Sequence, residues 1–277
     1  MIKRIVLIVA AASALVAQTP DPKDPLYRAK GDHKRQYSFA EAGEMSPYRV
    51  YVPASWAPDK RFPLVVMLHG GGLTQDAAFD REPADLKGVV FREADKHEFI
   101  LVAPMGHKGE YGNTYPMPNR QAPPPDKQGV DPEVLKRNNM LSEKDVLNVL
   151  ELVSKEYNVD RSRTFLMGNS MGMLGTMSLT AKFPERWTAI GPSDGPGEPS
   201  SYPYENFKAL AGVMIVHGDS DRVAPIAASR EIAANIKALG VDTQFLEVKG
   251  GEHGTAWYMA LPQIFDFFES HSRRKGH

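Results

Sequence analysis

The sequence predicts an α/β domain with a mostly parallel central sheet and helices on both faces, and three observations carry that prediction. Short apolar runs recur along the chain with helix-period segments between them. The runs are mostly continuous instead of alternating, as strands covered on both faces require. Several close on glycine or proline, where a strand gives way to a loop. In open sheets of this kind a ligand binds beyond the carboxyl ends of the strands.

The elements follow in order. "YRVYVP" (48–53) alternates apolar and polar and reads as a half-exposed strand, whereas "PLVVMLHGGG" (63–72) is a buried strand running into three glycines. "FREADKHEFILVAPMG" supplies a helical patch and then a strand from Phe99 to Ala103, closed by proline and glycine. Ser142 with Asp145 has the form of a capping box, and Val146, Val149, Leu150, Val153 and Tyr157 fall on one helical face. That pattern predicts a helix opening at Ser142, ahead of the strand "RTFLMG". "WTAIG" (187–191), "GVMIVHG" (212–218) and "TQFLEVKG" (243–250) repeat the cadence.

Two stretches stand outside it. Residues 1–17, "MIKRIVLIVAAASALVA", carry two early cations, a short apolar run and small residues, the layout of a secretory signal peptide too short to span a bilayer. Residues 18–45, opening on the polar and proline-rich "QTPDPKDP", read as an arm or linker, which leaves 46–277 as one catalytic domain. From Gly106 to Asn139 the chain has no sustained period and contains three consecutive prolines; it reads as a long loop, a candidate lid or binding loop. Its Tyr111, Tyr115, Met117 and Arg120 suit an aryl ester or a substituted sugar, with Tyr115 a candidate substrate contact.

Composition narrows the chemistry. The 277 residues carry a formal net charge of -1 with mixed signs, so there is no footprint for nucleic acid and no basic face for an anionic membrane. There is no cysteine, which excludes disulfides, thiolate metal sites, lipoprotein attachment and a cysteine nucleophile. An exported chain without disulfides points to a bacterial secreted or periplasmic setting. No H-E-x-x-H motif or ligand spacing calls for a metal, and no cofactor is implied. Nothing in the sequence sets the oligomeric state.

The chemistry itself begins at "FLMGNSMGMLG" (165–175), where a strand ends on G-x-S-x-G and a helix begins. That is the pattern of a nucleophile elbow, holding Ser170 above the sheet. A serine hydroxyl needs a base within reach and a group that orients the base. "VHGDSDRVAP" offers Asp219 and Asp221 after one strand, and "VKGGEHGTAW" offers His253 after the next, in the order serine, aspartate, histidine. The amide of Met171, at a helix start, and the glycines of "HGGG", with Gly71 and Gly72 as candidates, supply donors for an oxyanion. Trp257 and Tyr258 are candidate walls for an acyl or aryl group, and His69 reads as a support beneath the glycine loop.

On "LHGGG", "YNVDRSRTFLMGNSMG", "HGDSDRVAP" and "GGEHG", spread over about residues 46 to 270, the chain resembles the α/β-hydrolases of the secreted esterase type. It is similar there to feruloyl and acetyl-xylan esterases, polyhydroxyalkanoate depolymerase-like proteins and the esterase D-like group. The resemblance implies a serine esterase acting through an acyl-enzyme on a small-molecule or carbohydrate-linked ester, and it selects Asp221 over Asp219 as the acid. Asp219 is then expected to satisfy its own turn. The same machinery serves a serine peptidase or an acyltransferase, and a non-catalytic binding protein on this fold is the alternative of a different class. One position departs from the family pattern: Met173 stands where a further glycine is usual, leaving the elbow less room.

Overall fold

The structure is a computed structural model that describes residues 19–109 and 129–271. The leader 1–17 lies outside the described residues, as do Tyr111, Tyr115, Met117 and Arg120 of the long loop.

Four strands are buried along their whole length: β3 (Phe62–Leu68), β4 (Ile100–Pro104), β6 (Ala189–Ser193) and β7 (Gly212–Gly218). Continuous apolar runs are what such strands need, because successive side chains point to opposite faces and both faces are covered. The alternation sorts them. Leu64, Val66 and Leu68 enter one core with Val146, Val149 and Val153 of α3 (Pro132–Glu156), Met173 and Met177 of α4 (Met171–Lys182) and Ile232 of α5 (Ile226–Lys237). Val65 and Met67 enter the other core, with Phe79 of α1 (Ala77–Asp80), Val90 and Ala94 of α2 (Val89–Lys96), Trp257 of α6 (Ala256–Met259) and Ile264, Phe265 and Phe268 of α7 (Leu261–Ser270).

The eight strands form one sheet in the order β1-β2-β4-β3-β5-β6-β7-β8. Here β1 is Gly31–Phe39, β2 Glu44–Val52, β5 Val159–Asn169 and β8 Thr243–Val248. The β1/β2 and β2/β4 pairs are antiparallel and every other pair is parallel. This is the α/β-hydrolase fold. It brings the carboxyl ends of β3, β5, β6, β7 and β8 to one edge, where the turns carrying "HGGG", Ser170, Asp194, Asp221 and His253 emerge.

The segment 18–45 is a correction to the expected arm: its second half is strand β1 and the start of β2. Residues facing inward from β1 alternate correctly, but one of them is Arg35, whose side chain is 5% exposed. Its guanidinium pairs at 2.8 Å with Glu156, itself wholly buried at the end of α3, and at 2.8 Å with Asp24. An inward charge on an edge strand hides the strand from a hydrophobicity count and also discourages edge-to-edge pairing. His33, within the expected arm, lies on the same strand.

Helix α3 also begins earlier than expected, at Pro132 and not at Ser142. Asp131 caps it, Oδ1 accepting the Glu133 amide at 2.8 Å, with proline in the first turn where its missing N–H costs nothing. Pro132 to Asn139, expected as loop, are therefore helix. Ser142 is buried inside it and donates back to the Asn138 carbonyl at 2.9 Å. Asp145 is a buried anchor: one oxygen accepts from Tyr37 Oη at 2.8 Å and Ser46 Oγ at 2.7 Å, the other from the Gly106 amide at 2.8 Å. It ties α3 to β1, β2 and the end of β4.

Candidate active site

Between the last residue of β5 and the first of α4, Ser170 takes φ 58 and ψ -115, a combination that sterics deny to most side chains. What holds it there is close backbone contact. A Cβ on Gly168 would lie 2.4 Å from the carbonyl oxygen of Gly172, and one on Gly172 would lie 2.2 Å from that of Leu68 on β3. Both glycines of G-x-S-x-G are therefore demanded by contact, not by φ. The Ser170 amide donates to the Ser193 carbonyl at 2.9 Å, tying the elbow to β6. Met173, the departure noted in the sequence, is fully buried; a Cβ on Gly195 would lie 2.3 Å from its sulfur, so a glycine in the loop after β6 makes room for it.

Ser170, His253 and Asp221 are brought together. His253 Nε2 lies 2.9 Å from Ser170 Oγ, and His253 Nδ1 lies 2.8 Å from Asp221 Oδ2. Facing a carboxylate, Nδ1 carries the proton, which leaves the Nε2 lone pair to accept from the serine hydroxyl. The Asp221 side chain is wholly buried. Burial pushes its carboxyl up, but the Ala224 amide, the His253 bond and the Val223 amide outweigh that and hold it below the usual range. Oδ1 takes both amides, at 3.0 Å from Ala224 and 2.7 Å from Val223, and so Oδ2 is aimed at the histidine.

The two aspartates of the turn exchange the roles expected for turn bonding. Asp221 satisfies its own turn, while exposed Asp219 accepts the Gly250 amide at 2.7 Å and links this turn to the one carrying His253. Asp194, at the end of β6 with φ 47, accepts from the Gly218 amide at 2.9 Å and from Asn169 Nδ2 at 3.2 Å. Burial pushes its carboxyl up to about 6. It braces the elbow from behind.

A cavity of about 270 Å³ opens over Ser170 and His253, walled by Gly70, Gly71, Leu73, Ala77, Trp257 and Tyr258. Trp257 is thus placed at the cavity, and Tyr258 beside it donates to the Ala77 carbonyl at 2.7 Å. Gly71 stands beside Met171, a Cβ on it falling 3.9 Å from that of Met171. Met171 opens α4, so its amide has no carbonyl a turn earlier to bond. Gly72 does not line the cavity; its φ of 70 makes the turn. Gly70, Leu73, Ala77 and Arg81 were not anticipated at the site, although their position just past the "HGGG" strand end is the signal that finds them. His69 is buried, with Nδ1 2.8 Å from the Gly70 carbonyl and Nε2 2.9 Å from that of Met105, and burial holds its pKa down. It props the glycine turn.

Two groups of ligand-type side chains occur among the described residues, His97 with Asp266 and Glu269, and Asp194 with His217 and Asp221. In the first, Lys96 Nζ already lies 3.5 Å from Asp266; in the second, Asp221 is engaged by His253. No described helix is long and apolar enough to cross a membrane.

A sequence model of the family Esterase, described as "Putative esterase", matches residues 40–268. The chain belongs to that family. It is 28% identical over 194 residues to a bifunctional acetylxylan esterase/xylanase from Neocallimastix patriciarum, which covers 69% of this chain and 23% of the relative, so the chain spans about a quarter of that protein's length. Among solved structures, this esterase-family chain is similar to a ferulic acid esterase from Anaeromyces mucronatus in complex with ferulic acid, with TM-score 0.63 and 19% identity over 87% of this chain and 90% of that one. It is also similar to an S-formylglutathione hydrolase from Staphylococcus aureus, with TM-score 0.64 and 14% identity over 86% and 98%. A thermostable esterase gives TM-score 0.62 at 24% identity over 87% of this chain and 63% of that one. These structural likenesses show the fold.

Proposed function

We propose that this member of the Esterase family is a carboxylic-ester hydrolase working through an acyl-enzyme on Ser170. The observation that carries the reading is the unbroken hydrogen-bond path from Ser170 Oγ through His253 to buried Asp221 at the mouth of the cavity. As Ser170 Oγ bonds to the ester carbonyl carbon, its proton passes to His253 Nε2, and Asp221 steadies the imidazolium. The negative charge on the former carbonyl oxygen meets the amides of Met171 and Gly71, with the helix α4 dipole behind the first. His253 returns the proton to the leaving alcohol. Water then repeats the sequence on the acyl-enzyme and frees the acid.

The substrate in this reading is an acetyl or aryl ester, including esters carried on a carbohydrate. The relatives named for acetylxylan and ferulic acid support it, as does an aromatic wall of Trp257 and Tyr258. The reading includes export from a bacterial cell, supported by the pattern of residues 1–17 and the absence of cysteine. A panel of chromogenic acetyl esters, methyl ferulate, acetylated xylan and peptide anilides, with fluorophosphonate labelling alongside, tests it. Ester turnover with labelling of Ser170 is expected; turnover of peptides alone assigns a peptidase, and neither turnover nor labelling assigns a binding protein.

A further inference from the structure

Behind Asp221 lies a second histidine that the reaction as written does not use. His217, the penultimate residue of β7, is completely buried. Its Nε2 lies 3.2 Å from Asp221 Oδ2, the oxygen that also receives His253, and 3.2 Å from the Ala224 carbonyl. Its Nδ1 lies 2.8 Å from the hydroxyl of Ser229, which is completely buried on α5. The tautomer follows. Both groups at Nε2 only accept, so Nε2 carries the proton; Nδ1 is then a bare lone pair, and Ser229 Oγ–H donates to it.

We propose that His217, locked by Ser229, is a positioning residue for the acid of the proposed triad: its Nε2–H, bonded to the Ala224 carbonyl, pins the turn that carries Asp221, and its ring edge, 3.2 Å from Asp221 Oδ2, keeps that oxygen in line with His253 and draws off part of the carboxylate's charge. The inference rests on the reading of Ser170, His253 and Asp221 given above. Ser229 fixes the His217 tautomer by donating to its Nδ1, whereas Asp221 fixes that of His253 by accepting from its Nδ1, so the ordered groups run from Ser229 to Ser170. The groups facing His217 are Ser229 from α5, Asp221 and the Ala224 carbonyl from the turn after β7, and Asp194 from the end of β6, whose carboxylate falls with the His217 ring nitrogen and the Asp221 carboxylate into one cluster. His253 faces it across Asp221. Burial raises the Asp194 carboxyl, and it titrates in the same range as an imidazole, so Asp194→Asn is the background in which pH profiles are read.

The test compares His217→Phe, which keeps a ring and removes the donor, with His217→Gln, whose amide nitrogen reaches the Nε2 position. With the phenylalanine, kcat on a small acetate ester falls about tenfold while KM holds, as the loss of one buried hydrogen bond that fixes the Asp221 turn requires. The acid limb of kcat/KM moves to higher pH, because an Asp221 carboxylate without the Nε2–H dipole 3.2 Å away attracts a proton onto His253 more strongly. The glutamine restores both. Equal behaviour of the two variants, with the limb unmoved, makes His217 a packing residue and overturns the proposal. Nitrogen NMR of the His217 ring in the wild-type and Ser170→Ala proteins reads the tautomer without turnover: a bare Nδ1 is expected, and a protonated Nδ1 overturns the proposal whatever the activity. A wild-type enzyme that turns over no ester and takes no fluorophosphonate contradicts the assigned reaction instead, while the tautomer measurement still decides the role of His217.

Discussion

Gly172→Ala should disable the enzyme without touching a reacting atom. The added Cβ falls 2.2 Å from the Leu68 carbonyl oxygen, 2.8 Å from the Leu68 carbonyl carbon and 2.9 Å from the His69 oxygen, all backbone atoms of the neighbouring strand end and its turn. Real Cβ contacts essentially never fall below 3.0 Å, so α4 must retreat from β3 by about 0.8 Å or more. Ser170 stands at the head of that helix, and a retreat of this size along the Ser170–His253 line carries the 2.9 Å contact out of hydrogen-bond range. Misplacing a reacting group by about 1 Å costs on the order of 10²-fold in rate, and forced overpacking costs about 1–3 kcal/mol of stability. The assay is kcat on a chromogenic acetate, the rate of fluorophosphonate labelling, and a thermal melt. A variant within threefold of wild type in rate and unchanged in Tm would refute the claim that backbone contact at Gly172 sets the elbow.

The other predictions concern the groups around the site. Asp221→Asn is expected to lower kcat by about 10⁴-fold, as loss of the orienting carboxylate does in the serine triad; Asp219→Asn, which keeps an oxygen to accept the Gly250 amide and the Ser220 hydroxyl, should leave kcat within a few-fold, and the reverse pattern in steady-state kinetics would move the acid to Asp219. Asp145→Ala strands the Tyr37 and Ser46 hydroxyls and the Gly106 amide in a buried place, so urea unfolding should show a loss of about 3 kcal/mol or more with kcat little changed. For Asp194 the folded pKa of about 6 stands above the unfolded 3.8, so the folded chain binds its proton more tightly and wild-type stability falls as pH rises through that interval. The Tm of Asp194→Asn minus that of wild type should therefore climb between pH 4 and pH 6 and then level; parallel curves would show that Asp194 does not titrate there.

The parallel core of the sheet and the serine, aspartate and histidine turns were legible because each leaves a local mark. A strand buried on both faces must be apolar throughout, and the contact distances at Gly168 and Gly172 allow no other residue. What stayed hidden is held by pairing between distant residues. β1 spends an inward position on Arg35, which is tolerable only because Glu156, far along the chain, closes over it. The first turns of α3 expose polar residues and show no periodic face, so the buried Ser142 and Asp145 passed for its cap. Gly70 and Gly72 are identical in sequence, and only the path of the turn puts the first at the cavity and the second outside it. Asp219 and Asp221 were told apart by a family pattern, not by their neighbours, and their turn bonds came out the other way round.

The central claim is that Ser170 becomes acylated. Intact-protein mass spectrometry of the enzyme quenched in acid during turnover of a slow aryl ester measures this directly. The account predicts a species heavier by one acyl group, mapped by digestion to the peptide containing Ser170, and its absence in Ser170→Ala together with loss of turnover. Full turnover in Ser170→Ala, or an acyl group mapped to another residue, would contradict it.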